Sequence, residues 1–253
     1  MAELFAALSD GFRHIAWGPL VVYLLLSTLV MGNIATYFRR HKGWKDGYSR
    51  KFNHMGHAVC AAPTIGFLPE PSLTPTIVAA TIGVAVIYGW SAVSRWPAVE
   101  RIVAGSLRDR DVPYSRFFFF FPLILGNLGI VAAFVFFPAD AARAGILAVA
   151  IGDGLAEPVG LRFGRNTTYR VPDLVFRRSN TKSLHGNAAV MLSAVAIAAV
   201  TFIAASTGPV WVIIAGSLAF GIAVAAIEAL SPRGFDNLTI SLGGALIMTG
   251  LIA

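Results

Sequence analysis

Eight stretches of this chain are apolar for about the length a helix needs to cross a bilayer, and only short polar breaks separate them. That pattern excludes most folds at once. A hydrocarbon core admits only segments that satisfy their own backbone hydrogen bonds, and a helix needs about 20 residues to span it. The runs fall at 17–37, 54–69, 74–94, 117–137, 141–161, 187–205, 209–230 and 237–253. The run 54–69 is short and carries Pro63, and 237–253 has little length to spare, so seven or eight spans are expected. The chain is 56% hydrophobic and only 13% charged, with a mean hydropathy of +0.70. It therefore reads as an all-α polytopic helix bundle, a single integral membrane domain over residues 1–253.

Met1 to Ser9 lacks a basic start, an apolar core and a small-residue cleavage site, so the first run is expected to remain in the mature protein. Cys60 is the one cysteine, which excludes an intramolecular disulfide and cysteine-cluster metal sites and leaves it as packing material.

Orientation follows from lysine and arginine, which stay on the cytoplasmic side when they sit in short loops. With eight spans, 18 of the 20 basic residues fall on one side, in 38–53, 95–116, 162–186 and at Arg233, leaving Arg13 and Arg143 on the other. Both termini then face away from the cytoplasm. The net charge of +7 does not point to nucleic acid, because the cations hug the membrane; anionic headgroups and a phosphate-bearing ligand account for them better. Short loops and the lack of an organelle signal suggest a bacterial inner membrane. Any site must lie where the helices meet these cytoplasmic loops.

The stretch "GDGLAEPVGLRFGR", residues 152–165, places Asp153 and Glu157 four residues apart at the end of an apolar run. On a helix, Asp153, Ala156, Glu157, Gly160 and Gly164 share one face. The small residues alone are as well explained by close helix packing. The acids are not: a carboxylate near hydrocarbon costs on the order of 3 kcal/mol even on lenient scales, and two on one face repel. A divalent cation relieves both, and Mg²⁺ characteristically binds through one or two carboxylates together with substrate phosphates. Pro158 cannot donate to the carbonyl of Gly154, so a kink or a freed backbone group is expected beside the acids.

Three further polar groups fall on the same side: "SRKFNHMGH" with Arg50, Lys51, Asn53, His54 and His57; "TKSLHG" with Lys182, Ser183, His185 and Gly186; and "EALSPRGFDNLT" with Glu228, Arg233, Asp236 and Asn237. Acids, cations and amide donors together suit a metal–nucleotide complex, since phosphoryl transfer needs chiefly positioning and charge neutralisation. The soluble solutions are missing: there is no P-loop, no kinase catalytic loop, no H-E-x-x-H and no G-x-S-x-G.

These motifs resemble those of the CTP-dependent polytopic polyprenol kinases, which comprise dolichol kinase and the shorter phytol and farnesol kinases. Asp153-x-x-Ala156-x-x-x-Gly160-x-x-x-Gly164 followed by Lys182-Ser183-x-x-Gly186 looks like their CTP-binding signature. Arg50, Lys51 and His54 match their R-K-x-x-H-x-x-G segment, with His57 in the place of its glycine and Gly56 one residue before. Residues 228–239 are similar to their E-A-L-x-P-x-x-x-D-N-L-T element. The K-S-x-x-G form and the chain length resemble the phytol kinase branch. Two departures, 17 residues between Gly164 and Lys182 and His185 where the dolichol enzymes usually have Glu, leave the natural alcohol open.

The resemblance implies a membrane catalytic domain that moves the γ-phosphate of CTP to an isoprenoid alcohol such as phytol, geranylgeraniol or a polyprenol, giving CDP and a prenyl monophosphate. Nucleotide would arrive from the cytoplasm and the alcohol laterally from the lipid. In that reading Asp153 and Asp236 hold Mg²⁺, with Glu157 and Asn237 assisting. Lys182, Arg162 and Arg165 hold phosphates, and Ser183 with the Gly186 amide completes the cradle. His54 is a candidate proton acceptor because imidazole titrates near neutral pH. Arg50 and Lys51 either contact nucleotide or anchor their helix. Glu228 is expected to be functional or paired with an arginine, and Phe117–Phe121 to form an interfacial belt rather than a lipid tunnel. The rival readings are a cytidylyltransferase making a CDP-lipid, whose paired-aspartate C-terminal signature is replaced here by Asp236-Asn237, and a transporter, for which no internal repeat is evident.

Overall fold

A computed structural model describes residues 10–69, 71–173, 175–205 and 208–253. Met1 to Ser9, expected above to lack a cleavable leader, lie outside the described residues. Eight long helices run through the rest: α1 (Trp17–Lys42), α2 (Asp46–Phe67), α3 (Leu73–Val93), α5 (Ser115–Phe136), α6 (Ala139–Phe163), α7 (Leu184–Ala204), α8 (Val210–Leu230) and α9 (Asp236–Ile252). A short amphipathic helix, α4 (Pro97–Ala104), sits between α3 and α5. The protein is thus an all-α polytopic membrane bundle.

Among the described residues six of these helices are long and apolar enough to cross a membrane, and α9 is a shorter apolar helix. The eighth, α2, has 22 residues, but Asp46, Arg50, Lys51 and His54 occupy its first half and His57 follows at its middle. The two runs that read as weak in the sequence are therefore the two that differ from the other six: α9 for the short length expected of it, and α2 for the polar residues at its start rather than for the shortness and Pro63 of its apolar run.

α6 is the central element, with half of its apolar stretch buried against 11% for α5. Its alanines make this possible. Ala141, Ala144 and Ala148 meet Val190, Ala194 and Phe202 of α7, Phe220 and Val224 of α8, and Ile240 and Met248 of α9 in the main core. Small residues let backbones approach closely where the surrounding lipid is as apolar as the core. At Gly145 the approach is closest: a Cβ there would lie 2.3 Å from the Ser241 carbonyl oxygen of α9. A second core of Val84, Tyr88, Ile102 and Val103 joins α3 to α4.

Both α1 and α6 contain one π-helical turn, at Leu25–Val30 and Ala148–Asp153. The irregularity expected from Pro158 thus falls a turn earlier, ending at Asp153 itself. The segment 162–186, expected as a loop, instead folds partly into an antiparallel hairpin, β1 (Thr168–Asp173) and β2 (Arg178–Ser183), in which Tyr169 opposes Lys182. This hairpin delivers the chain directly into α7.

Candidate active site

The acids of α6 meet α2. Lys51 and Asp153 form a buried ion pair at 2.5 Å, with side chains 3% and 8% exposed. The His54 Nε2 lies 3.9 Å from the same carboxylate and 3.2 Å from the Val149 carbonyl, an oxygen of the π-helical turn. A carbonyl only accepts, so Nε2 carries the proton and Nδ1 holds the lone pair of neutral His54. One turn on, Glu157 is gripped by three arginines: Arg50, Arg108 at 3.2 Å and Arg110 at 3.7 Å. Burial, and next the neighbouring Arg50, push the Arg108 guanidinium down to about 10, so it remains charged at neutral pH.

The second ionic group lies on the hairpin, α8 and α9. Lys182 Nζ donates to the Glu228 carboxylate at 2.6 Å and to the Glu228 carbonyl. The partner expected for Glu228 was an arginine; the hairpin supplies this lysine instead, because β2 runs past the end of α8. Asp236 opens α9 and forms no ion pair among the described residues. Its carboxylate accepts from the Asn237 amide at 3.0 Å, and it lies within the electrostatic reach of Asp153, Lys51, Lys182 and Arg50. The two ionic groups therefore share one polar layer at the helix ends. The Asn237 side chain donates to the Pro122 carbonyl at 3.2 Å, while its amide oxygen Oδ1 is buried without a partner among the described residues.

The small residues of α6 serve a different neighbour from its acids. Asp153 and Glu157 turn to α2, whereas Ala156, Gly160 and Gly164 face the start of α7. A Cβ on Gly160 or Gly164 would sit 2.7 or 2.5 Å from the Ser183 hydroxyl, and one on Gly186 would sit 2.7 Å from the Ala156 carbonyl. Ser183 caps α7 by accepting from the Gly186 amide at 3.1 Å, a favourable use of a serine at a helix start. The cradle residues are thus brought together, already bonded to one another. Arg162 and Arg165 are not brought in: both are solvent-exposed without an acidic partner among the described residues, and Arg162 lies over the Phe163 ring at 5.4 Å. Ion-pair distances and hydrogen bonds bring His185 to Thr167 rather than to either acid group, at 2.8 Å.

Sequence reasoning missed several residues. Arg108 and Arg110 were two among many loop cations; the alternation in "LRDRD" was the available signal. Asp173 was not singled out. It is buried, accepts from the amides of Val175 and Phe176 at the hairpin tip, and also from Asn180 and the Arg233 amide at 3.0 Å. Burial alone would raise its carboxyl, but those amide donors hold it below the ordinary aspartate value. The tip is further docked by Phe176, which packs on Phe117, Phe118 and Phe121. Those phenylalanines are therefore in part a seat for the hairpin rather than only a lipid-facing belt. Arg233 pairs with Asp111 and lies over Phe118 at 4.1 Å, closing the same corner.

Among the described residues no three His, Cys, Asp or Glu side chains converge as a ready-made metal site. A cation here would need oxygen ligands beyond the protein. Fold and site together define a polytopic membrane protein with a charged, partly buried layer where its helices meet one aqueous face. Over 108 residues the chain is 40% identical to the phytol kinase of Synechocystis sp., a stretch covering 42% of this chain and 42% of that protein. The chain thus matches less than half the length of this relative. No protein-family profile matches the chain, and no solved structure does.

Proposed function

We propose that this protein is a lipid alcohol kinase that transfers the terminal phosphoryl group of a nucleoside triphosphate, CTP by the motif resemblance, to the hydroxyl of an isoprenoid alcohol. The observation that carries this reading is the convergence of four separate sequence motifs, on α2, on α6, on the hairpin, and at the start of α9, in one layer holding both surplus cations and a carboxylate that forms no ion pair among the described residues. The partial likeness to a phytol kinase supports the same class of acceptor.

The residues divide the work as follows. Arg50, Arg108 and Arg110 hold phosphate oxygens, with Glu157 fixing their orientation, because bidentate guanidinium groups match phosphate geometry. Asp153 and Asp236 fit Mg²⁺: neither belongs to a complete protein cage, and the ion characteristically takes one or two carboxylates and fills its shell from phosphate and water. When bound, it would neutralise charge developing on the phosphates. The alcohol oxygen attacks the γ-phosphorus, the bond from that phosphorus to the β–γ bridging oxygen breaks, and the diphosphate leaves. The hydroxyl proton passes to His54 Nδ1, the unprotonated ring nitrogen. Lys182, released from Glu228 by an incoming phosphate, and the Ser183–Gly186 cap flank the leaving group. The alcohol enters from the lipid side, consistent with a site at the helix ends on the basic, cytoplasmic face of a bacterial inner membrane.

Purified protein given γ-labelled CTP and a ladder of lipid alcohols tests this. Label should appear in the lipid, with CDP as co-product. Label in pyrophosphate would establish a cytidylyltransferase instead, and no nucleotide turnover with any alcohol would exclude the kinase reading. Crossing CTP with ATP, UTP and GTP in the same assay fixes the donor.

A further inference from the structure

Away from the acids, a cleft of about 340 Å³ opens between the end of α1 and α4, lined by Asn33, Thr36, Tyr37, Arg40, His41 and Arg101. None of these residues belongs to the layer described above. The walls are fixed. Thr36 donates to the Arg101 carbonyl at 2.6 Å and accepts from the Gly105 amide at 2.7 Å. At Gly105 a Cβ would lie 2.4 Å from the Thr36 nitrogen, so the two helices cannot part or close without breaking this contact.

The charges in the cleft lack counterions. Arg39, Arg50, Arg108, Arg110, Arg143 and Arg233 each have an acidic partner. Arg40, His41 and Arg101 have none among the described residues, and neighbouring Glu100 pairs with neither arginine. Arg101 uses only Nε within its own helix, on the Pro97 carbonyl at 3.2 Å, which leaves its outer nitrogens for a ligand. The exposed carbonyl end of α1 offsets part of the charge of Arg40, but two guanidinium groups lining one cleft still repel each other unless an anion lies between them.

Position selects the anion. Arg40 and His41 stand in the last turn of a membrane-crossing helix, and Arg101 lies on the short amphipathic helix that follows α3. Tyr37, one turn before His41 with its ring 5.1 Å from that imidazole, is half exposed. Trp90, Val93 and Trp96, which lead into α4, are 54%, 73% and 67% exposed. Exposed tryptophan and tyrosine beside the end of an apolar helix mark the headgroup level of a bilayer, and basic pockets between helices at that level bind anionic lipid headgroups. We infer that this cleft holds the phosphodiester headgroup of an anionic phospholipid, with Arg40 and Arg101 on the phosphate oxygens and the acyl chains lying along the exposed side of α3. This inference does not depend on the kinase reading.

The test uses the full chain in mild detergent, titrated with phosphatidylglycerol or phosphatidylcholine and followed by native mass spectrometry and thermal melting. Wild type should retain phosphatidylglycerol and melt at a higher temperature with it. The double variant Arg40→Gln/Arg101→Gln should bind it roughly 30-fold more weakly, the equivalent of two surface cations. A control pair from the same basic segment, Arg95→Gln/Arg116→Gln, should bind like wild type. These side chains are exposed, so both variants should fold, and an unchanged melting temperature without lipid checks that. Equal retention by Arg40→Gln/Arg101→Gln and wild type would overturn the assignment. So would equal binding of the zwitterionic lipid, an equal loss in the control pair, or the same stabilisation by inorganic phosphate alone.

Discussion

On the α2–α6 side of the polar layer two carboxylates, Asp153 and Glu157, face four basic side chains, Arg50, Lys51, Arg108 and Arg110. On the hairpin–α8–α9 side the balance reverses, for Lys182 pairs with Glu228 and Asp236 forms no ion pair among the described residues. One half is thus built to receive negative charge and the other to receive positive charge. In the proposed reading a metal-bound polyphosphate would answer both, its oxygens meeting the arginines of the first half and its cation held by Asp236 of the second together with Asp153. Neither half explains itself as a stability device, since isolated buried ion pairs return little beyond their desolvation cost.

The comparison breaks most decisively at Asp236. Because it forms no ion pair among the described residues, Asp236→Asn leaves no orphaned charge, and the variant should fold normally while losing phosphoryl transfer by about 100-fold or more. Chelation should stop wild-type turnover, and Asp236→Asn should need more Mg²⁺ for half-maximal rate. Near-normal turnover in the variant would remove the cation-seeking half from the proposal. Asp153→Asn should also abolish transfer, but with a different signature: it strands Lys51 in a buried site, a loss of about 3 kcal/mol or more. Adding Lys51→Met should restore the melting temperature and not the activity. If both return, Asp153 is only the partner of a lysine.

Glu157 sharpens the same contrast. Gripped by three arginines, it is predicted to orient them rather than to bind metal, so Glu157→Gln should keep transfer within about tenfold of wild type and raise the KM for nucleotide. A loss as large as that of Asp236→Asn would return it to the metal set. The smallest effect belongs to Asp173, the tie between hairpin and α9 turn. Asn in its place loses the acceptors for two donors, a destabilisation of about 1–2 kcal/mol. Its folded carboxyl is depressed, so its contribution is fully present above the unfolded value of about 4 and fades as pH falls through the lower folded value. Acid melting curves should therefore show the gap between wild type and Asp173→Asn narrowing toward low pH.

The bundle was legible in the sequence because apolar run length is a one-dimensional signal, and all eight long helices begin or end close to their runs. The acids, the K-S-x-x-G segment and Asp236 were legible for the complementary reason: charge is so unfavourable beside hydrocarbon that its presence there calls for a purpose. What could not be read was pairing. Glu157 to Arg108 and Lys182 to Glu228 are contacts across 49 and 46 residues, and nothing local encodes them. The hairpin escaped notice because alternation in "TYRVPD" offers only Tyr169 and Val171 as apolar positions and Pro172 argues against a strand. Arg162 and Arg165 were drawn in by proximity in sequence, yet α6 ends there and carries them outward.

The wide turn at Ala148–Asp153 acts as a phase shifter between the two halves of α6. It slips an extra residue into the coil, so the alanines of the first half can point into the core while the acids of the second point at α2. Deleting one residue within 148–152 would be absorbed as the turn tightens to an ordinary α-helical one, whereas the same deletion at 154–156, in regular helix, would rotate Glu157 by about 100° off α2 while Asp153 stays in place.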